Sequence, residues 1–159
     1  EMKDVVRSVE AVDKKGNIIN LSASDIEFRY RGSSLMDEGL IVTRAEIALQ
    51  KGETEEIEKK NEEFLKRRQE KQPLEYPSAG STFKRPEGHF AGKLISDAGL
   101  KGFSVGGACV SEKHAGFIIN KGGATSSDIY ELMKKVKEIV LDKYGVTLEP
   151  EVRLLGHFD

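Results

Sequence analysis

A chain of 159 residues with 38% hydrophobic and 33% charged residues has the balance of a globular protein rather than of a disordered or membrane chain. Its net charge of −2, with both signs interspersed, provides no broad basic surface for nucleic acid. No apolar run approaches the roughly 18 residues that span a bilayer, and residues 1–4 lack the features of a signal peptide. We therefore expect a cytoplasmic protein that binds neither membranes nor nucleic acid.

The first part of the chain, residues 1–52, has the pattern of strands and turns. Apolar positions end at a polar turn over 13–17 and resume over 18–21, which predicts a hairpin. Residues 40–49 alternate between apolar and polar, which predicts another strand. These strands form a small antiparallel sheet without a complete core of its own. The residues predicted on one face of the second strand are Ile41, Thr43, Ala45, Ile47 and Leu49.

A highly charged segment from Thr54 to about Glu70 predicts a helix, with only Ile57, Phe64 and Leu65 to anchor it. The charge run is typical of a solvated face, and a functional patch is the alternative. Prolines within 72–77 end the helix, because each forces its predecessor out of helical conformation. We assign residues 53–72 to a connecting helix and 73–159 to a second domain.

The second domain mixes helices and short strands, so the predicted fold class is α+β. Its last helix has a capping pattern at its start, apolar residues at helical spacing and Gly145 as the stop. The predicted elements in order are a helix over 88–98, strands over 108–110 and 116–120, a turn over 121–123, a helix beginning at 125–128, and a final strand over 147–155 with a kink at Pro150.

Cys109 is the single cysteine, which excludes an internal disulfide, and the three histidines lack metal-ligand spacing. We expect no metal site. Glycines 99, 102, 106 and 107 would let backbone amides approach a phosphate, but neither the dinucleotide fingerprint nor the P-loop pattern occurs. Turns and close packing are the favoured interpretation of these glycines.

Residues 78–86 combine hydroxyls, a glycine and the adjacent cations Lys84 and Arg85 between two prolines. A lysine point charge and an arginine fork together suit a diphosphate, so the segment predicts either an anion-binding loop or a solvated turn. Arg31 follows the aromatic Tyr30 where a predicted strand ends beside a turn. An ordinary surface arginine is the favoured interpretation of this pattern, and a functional arginine is the alternative. Glu151 follows Pro150 and is either functional or a strand-edge carboxylate paired with Arg153.

Several dispersed segments together resemble a known family, namely 28–33, 80–86, 91–95, 98–102, 106–108, 114–120 and 148–153. In this order and spacing they are similar to the UDP-N-acetylenolpyruvoylglucosamine reductase family in its compact form. The resemblance covers essentially the whole chain, with Glu1 and Met2 similar to the end of a glycine motif in the family's flavin domain.

The resemblance implies an N-terminal FAD-binding domain ahead of the matched region, most of which this chain lacks. Residues 1–52 would be the closing strands of the FAD-binding region and 73–159 the substrate-binding domain, an antiparallel sheet with helices. The implied reaction transfers hydride from NADPH through FAD to the enolpyruvyl group of UDP-N-acetylglucosamine enolpyruvate, in peptidoglycan synthesis. The intact enzyme is expected to be a monomer, and this chain alone to be inactive; a UDP-sugar-binding module without catalysis is the alternative.

The same resemblance assigns roles to individual residues. Arg31 would stabilise the substrate carboxylate, Ser81 would deliver a proton and Glu151 would support Ser81. The implied substrate contacts are Tyr30, Lys84 and Arg85, and Arg153 is a candidate FAD contact. Arg85 departs from the family pattern, because some members carry asparagine there. The resemblance therefore supports Lys84 better than Arg85 as a phosphate contact.

Overall fold

The computed structural model describes residues 1–157, which form two compact units. The first unit is Glu1–Ile57, and the second contains the described residues from Glu58 onward. The domain bounds predicted from the sequence stay a prediction, and the last two residues of the domain predicted over 73–159 lie outside the described residues.

The first unit is built on a three-stranded antiparallel sheet. Strands β1 (Val6–Val12) and β2 (Ile18–Ser22) form the predicted hairpin, whose turn is closed by Asp13 Oδ1 accepting from the N–H groups of Lys15 (2.7 Å) and Asn17 (2.9 Å). Strand β5 (Ile41–Ile47) pairs with the other edge of β1, in the order β2-β1-β5. The remaining elements are α1 (Met2–Val5), a 3-10 helix (Ala23–Asp25), β3 (Phe28–Arg29), β4 (Gly32–Ser33) and α2 (Ser34–Asp37).

The strand predicted over 40–49 is confirmed as β5, but its predicted apolar face is not buried. All seven of its residues are exposed, including Ile41 at 68% and Ile47 at 48%. β5 is an edge strand, which pairs with β1 alone. The small core of this unit lies instead around β1, the segment after β2 and α2, and consists of Val6, Val9, Ala11, Ile26 and Leu35.

Helix α3 (Thr54–Lys71) confirms the charged helix and its solvated face, since every residue in it is exposed. The anchoring role predicted for Ile57, Phe64 and Leu65 is wrong, because each of these side chains is at least half exposed. Three apolar residues in eighteen provide too narrow a stripe to drive burial. The helix ends before Pro73, as predicted.

The second unit packs two helices against a four-stranded antiparallel sheet, which confirms the α+β class. The sheet order is β6-β9-β8-β7, with β6 (Ser78–Ser81), β7 (Ser104–Val105), β8 (Ala108–Val110) and β9 (Phe117–Asn120). Helices α4 (Ala91–Asp97) and α5 (Ser126–Tyr144) cover the sheet. The largest fully buried side chains of this core are Ile95, Val110, Leu132, Val136, Val140 and Leu148.

Three predicted elements in this unit differ from the structure. Residues 147–155 form no strand; Pro150 makes an isolated antiparallel bridge to Phe83, and the pairing does not continue because the N–H of Thr82 donates to Gly116 instead of to this segment. Residues 78–86, which the sequence predicts as a loop or turn, begin with strand β6. Helix α4 begins at Ala91 rather than at residue 88, since Gly88 has a φ of +69° and lies in the preceding turn.

Helix α5 has the capping pattern that the sequence predicts. The N–H of Thr125 donates to Asp128 Oδ2 (2.9 Å), and the N–H of Asp128 donates to Thr125 Oγ1 (3.1 Å). Hydrogen bonds from the Thr125 backbone N–H and side chain, and from the Gly107 N–H, hold the pKa of Asp128 below its usual range. At the other end, Gly145 adopts the left-handed conformation with φ 67°.

Candidate functional site

The backbone of strand β6 is irregular just before Ser81, at the end of the strand. Ser78 pairs with Ile119 and Ser81 with Phe117, so β6 has one more residue than β9 between these two pairs. Gly80 accommodates the irregularity with a φ of +81°. Ser81 is exposed at the end of the strand.

The residue after Ser81 is buried and fixes this strand end to β9. Thr82 is 3% exposed. Its N–H donates to the carbonyl of Gly116 (2.9 Å), and its Oγ1 accepts from the N–H of Ile118 (3.1 Å). Sequence reasoning missed Thr82, because its burial depends on β9 and the C-terminal segment, which are distant in the chain.

The C-terminal segment pairs with the same stretch of chain. The N–H of Lys84 donates to the carbonyl of Glu149 (2.8 Å), and the N–H of Glu151 donates to the carbonyl of Thr82 (2.9 Å). These two bonds flank the bridge between Phe83 and Pro150. The structure therefore brings Glu151, which is partly buried, to a backbone position next to Ser81, although about seventy residues separate the two in the chain.

The two adjacent cations of this segment have different partners. Lys84 Nζ forms an ion pair with the Glu149 carboxylate. The Arg85 guanidinium lies over the ring of Phe90, 3.9 Å from its centroid, and its Nε donates to the carbonyl of His89 (3.3 Å). A ligand phosphate at Lys84 would replace Glu149, whereas Arg85 is held by a neutral ring and keeps its charge available.

Tyr30 and Arg31 belong to the first unit and form the two-residue turn between β3 and β4. The sequence placed them at the end of a strand; the structure places them in the turn itself, with Arg31 at a φ of 58°. The Arg31 guanidinium lies 5.0 Å from the centroid of the Tyr30 ring. Both residues line a cavity of about 510 Å³ together with Glu1, Met2 and Lys3.

Arg153 lines a separate cavity of the second unit, of about 410 Å³. Helix α5 contributes Tyr130 and Met133 to it, and β9 contributes Ile118 and Asn120. Sequence reasoning did not single out Tyr130 or Asn120. The Asn120 side chain accepts from the N–H groups of Gly122 (2.8 Å) and Ala124 (3.1 Å), and so closes the turn between β9 and α5.

The glycines considered for phosphate binding have structural roles. Gly99, Gly102 and Gly106 have positive φ values of 79°, 76° and 52°. A side chain at Gly107 would lie 2.4 Å from the carbonyl oxygen of Gly122. Turns and close packing therefore explain these positions.

The described residues have neither a metal-binding cluster nor a membrane-spanning helix. Among residues 1–157, no three or more His, Cys, Asp or Glu side chains are grouped so that they could hold a metal ion. Within that same stretch, none of the helices combines the length and apolar character required to traverse a bilayer. Cys109 is buried and unpaired in strand β8.

Comparison with known proteins gives consistent matches. Residues 72–155 match the family described as UDP-N-acetylenolpyruvoylglucosamine reductase, C-terminal domain. Proteins named UDP-N-acetylenolpyruvoylglucosamine reductase from Caldanaerobacter subterraneus and Lachnoclostridium phytofermentans are 57% and 56% identical over 98% of this chain. The chain spans about half the length of these curated relatives, 52% and 50%. The crystal structure of the reductase of this name from Thermus caldophilus superposes with a TM-score of 0.80 at 37% identity, over 95% of this chain and 54% of that one.

Proposed function

The chain belongs to the UDP-N-acetylenolpyruvoylglucosamine reductase family, and from this we propose that it is the substrate-binding and proton-donating part of such an enzyme. The complete protein would reduce the enolpyruvyl ether of UDP-N-acetylglucosamine. Because the chain covers about half of its relatives' length, the activity is assigned to the complete protein and not to this chain alone.

The observation that carries the proposal is the pairing of residues 82–84 with residues 149–151. It places the Glu151 backbone beside that of Thr82, the residue that follows Ser81. Lys84 lies on the same stretch. This pairing of distant segments supports the proposal that Ser81, Glu151 and Lys84 serve one site as proton donor, supporting carboxylate and phosphate-binding cation.

The chemistry of the reduction explains why these residue types are needed. Hydride added at the methylene carbon sends an electron pair toward the substrate carboxylate, and the enolate-like species must then take a proton at its other carbon. We assign stabilisation of the carboxylate to the guanidinium of Arg31 and delivery of the proton to Ser81 Oγ. A serine hydroxyl is a weak acid, so Glu151 supports the hydrogen-bonded network through which Ser81 regains a proton.

The diphosphate of the substrate would be bound by Lys84 and Arg85, with Tyr30 as a further substrate contact. Lys84 offers a point charge once Glu149 has been displaced, and Arg85 is oriented by the ring of Phe90. The two cations are adjacent in the chain and have partners of different kinds, so their contributions to binding can be separated by mutation.

The described residues offer only a partial fit for FAD. Within residues 1–157 the chain has no dinucleotide-type glycine motif, and Arg153, in the cavity of the second unit, is the residue that resemblance assigns to the flavin. A single guanidinium suits one polar edge or phosphate of FAD. We therefore propose that most FAD contacts come from the half of the relatives' length that this chain does not match. When bound, FAD would receive a hydride from NADPH and supply it to the substrate.

The proposed reaction belongs to peptidoglycan precursor synthesis, because its product is a UDP-N-acetylmuramate. We extend the proposal to a monomeric enzyme in the cytoplasm, the compartment that the sequence predicts. The substrate is a nucleotide sugar, so neither nucleic acid nor a membrane is a partner in the reaction.

The test joins this chain to the N-terminal half of a relative and measures NADPH oxidation. Oxidation that depends on UDP-N-acetylglucosamine enolpyruvate is the expected result. A folded, FAD-loaded protein that binds UDP-N-acetylglucosamine by calorimetry but never turns over would instead support a sugar-nucleotide-binding module, and the enzymatic proposal would be rejected.

A further inference from the structure

Thr82 lies between the strand that carries Ser81 and the segment that carries Glu151, and it is almost fully buried. Each of its polar atoms has a partner. Its N–H donates to the carbonyl of Gly116, just before β9 (2.9 Å), and its Oγ1 accepts from the N–H of Ile118 in β9 (3.1 Å). Its carbonyl accepts from the N–H of Glu151 (2.9 Å). One residue therefore connects β6, β9 and the C-terminal segment.

The side chain of Thr82 accepts a hydrogen bond from β9 where strand β6 is irregular. Residues two apart in a strand direct their N–H groups to the same neighbour. On β9, the N–H of Asn120 donates to the carbonyl of Pro77 (2.9 Å), and the next N–H on that side, from Ile118, donates to Thr82 Oγ1. The register shift between Ser78 and Ser81 lies at this part of the ladder, so the hydroxyl joins the two strands at the irregularity.

We propose that Thr82 is a positioning residue for the proton transfer, because its hydroxyl fixes the strand end that holds Ser81 and Glu151 in register. The inference rests on the proposed function of these two residues. It assigns Thr82 no contact with substrate. Loss of the hydroxyl would remove an acceptor of the Ile118 N–H in a buried position, and we expect the strand end to shift as a result.

Removal of the Thr82 hydroxyl should slow the chemical step more than it weakens substrate binding. Lys84 and Arg85 have side-chain partners of their own, Glu149 and Phe90, which the Thr82 hydroxyl does not contact. Proton transfer is sensitive to sub-ångström displacement of donor and acceptor, whereas long cationic side chains can follow a diphosphate. A positioning role therefore predicts a fall in kcat with KM retained.

The experiment compares Thr82→Val with Thr82→Ser in the complete enzyme, with Ser111→Ala as the matched control. Among the residues that the structure describes, Ser111 is the other buried hydroxyl residue, 1% exposed, and its Oγ accepts from the N–H groups of Lys113 and His114 (3.2 Å each). We expect Thr82→Val to lower kcat for substrate reduction by at least about tenfold. For Thr82→Val, KM and the rate of FAD reduction by NADPH should stay within about twofold of the wild-type values. Thr82→Ser keeps the hydroxyl and should therefore keep most of the wild-type kcat. Ser111→Ala should lower the Tm without changing kcat.

Thr82→Cys provides a second test in case the valine variant does not fold, since its sulfur is a weaker acceptor at the same position. The expected order of kcat is Thr, Ser, Cys, Val. A Thr82→Val enzyme with the kcat of Ser111→Ala, or a cysteine variant equal to wild type, would overturn the positioning role.

Amide hydrogen exchange on the present chain separates this inference from the proposed function. Thr82→Val or Thr82→Cys should speed exchange at Ile118 and at Glu151, whereas Ser111→Ala should not. If the wild-type complete protein shows no activity, the proposed function fails, whatever the exchange result. If it is active and exchange at Glu151 is unchanged in both variants, the positioning role fails alone.

Discussion

Lys84 and Glu149 contact each other twice, through a backbone hydrogen bond from N–H to carbonyl at 2.8 Å and through an ion pair between their side chains. The backbone bond holds the two segments together independently of charge. The side-chain pair is partly exposed, so it contributes little to stability and can be exchanged for another anion. Lys84 is thus paired in the free protein with the group that a diphosphate would replace.

Changes at this pair should move nucleotide affinity in opposite directions. Lys84→Ala should weaken binding of UDP-N-acetylglucosamine by about tenfold or more, and Glu149→Gln should strengthen it, because the lysine is then unpaired before binding. Calorimetry at low and high salt measures the nucleotide affinity of both variants, and the difference between their affinities should shrink as salt screens the charges. Lys93→Ala, which removes an exposed lysine paired with Asp97, is the control. Equal affinity for Lys84→Ala and Lys93→Ala would exclude Lys84 as the phosphate contact.

Ser81→Ala should separate the two halves of the proposed reaction. In the complete enzyme, reduction of FAD by NADPH should be nearly unchanged, while reduction of the enolpyruvyl substrate should slow by about 10²–10⁴-fold, as for loss of a general acid. Stopped-flow absorbance follows both steps. The control is Ser104→Ala, an exposed serine on β7 at the opposite edge of the sheet. A similar loss in both half-reactions would make Ser81 a structural residue.

Arg31 has the one positive φ among the non-glycine residues described, 58°, a conformation that costs an L-residue about 1–2 kcal/mol. Backbone strain of this kind is retained where a side chain is needed. Arg31→Gly should therefore raise the stability of the first unit by up to about 1 kcal/mol, after the entropy cost of glycine, while substrate reduction collapses. Urea unfolding and kinetics test the two effects together.

The neighbouring Tyr30→Gly provides the control for the strain argument, because Tyr30 has no positive φ. It should lower stability rather than raise it. A stability loss at Arg31→Gly equal to that at Tyr30→Gly would show that the strain has no measurable cost.

The cap of helix α5 should make the second unit sensitive to acid. The pKa of Asp128 is lowered in the folded protein by hydrogen bonds from Thr125, so its contribution to stability is full above the unfolded pKa near 3.8 and is lost as pH falls through the lower folded pKa. Asp128→Asn should be less stable than wild type near neutrality, and the gap should close below about pH 4.

Urea unfolding between pH 7 and pH 3 measures that gap. Ser126→Ala, which leaves the pair of Thr125 and Asp128 in place, should keep the pH dependence of wild type. A gap of constant size over the whole range would show that the charge of Asp128 does not stabilise the helix.

Leu148 links the C-terminal segment to the core of the second unit and is fully buried. Leu148→Ala should lower the free energy of unfolding by about 2–5 kcal/mol, through lost apolar contact and a residual cavity. Leu155→Ala, at a side chain that is 87% exposed, should change it by less than about 0.5 kcal/mol. Urea unfolding of both variants checks the pair. Similar values would place Leu148 outside the core.

Much of this fold could be predicted from local patterns. The hairpin turn around Asp13, the capping pair of Thr125 and Asp128 and the Gly145 stop each depend on bonds within a few residues, and the structure confirms them. The α+β class followed from the same periodicities. The family resemblance followed from dispersed motifs, and the comparisons confirm it.

Other features depended on partners far away in the chain, which a local pattern does not contain. The alternation of β5 predicted a strand with an apolar face, and only the structure shows that Ile41 on this face is exposed. Pro150 makes one bridge where a strand was expected, and Thr82 is buried because β9 and the C-terminal segment meet at it. The sequence by itself determined which short segments are helices and turns, since their hydrogen bonds are local. Only the tertiary structure decided which strand is an edge and which hydroxyl is buried beside Ser81, because burial and strand pairing are set by contacts between residues that are distant along the chain.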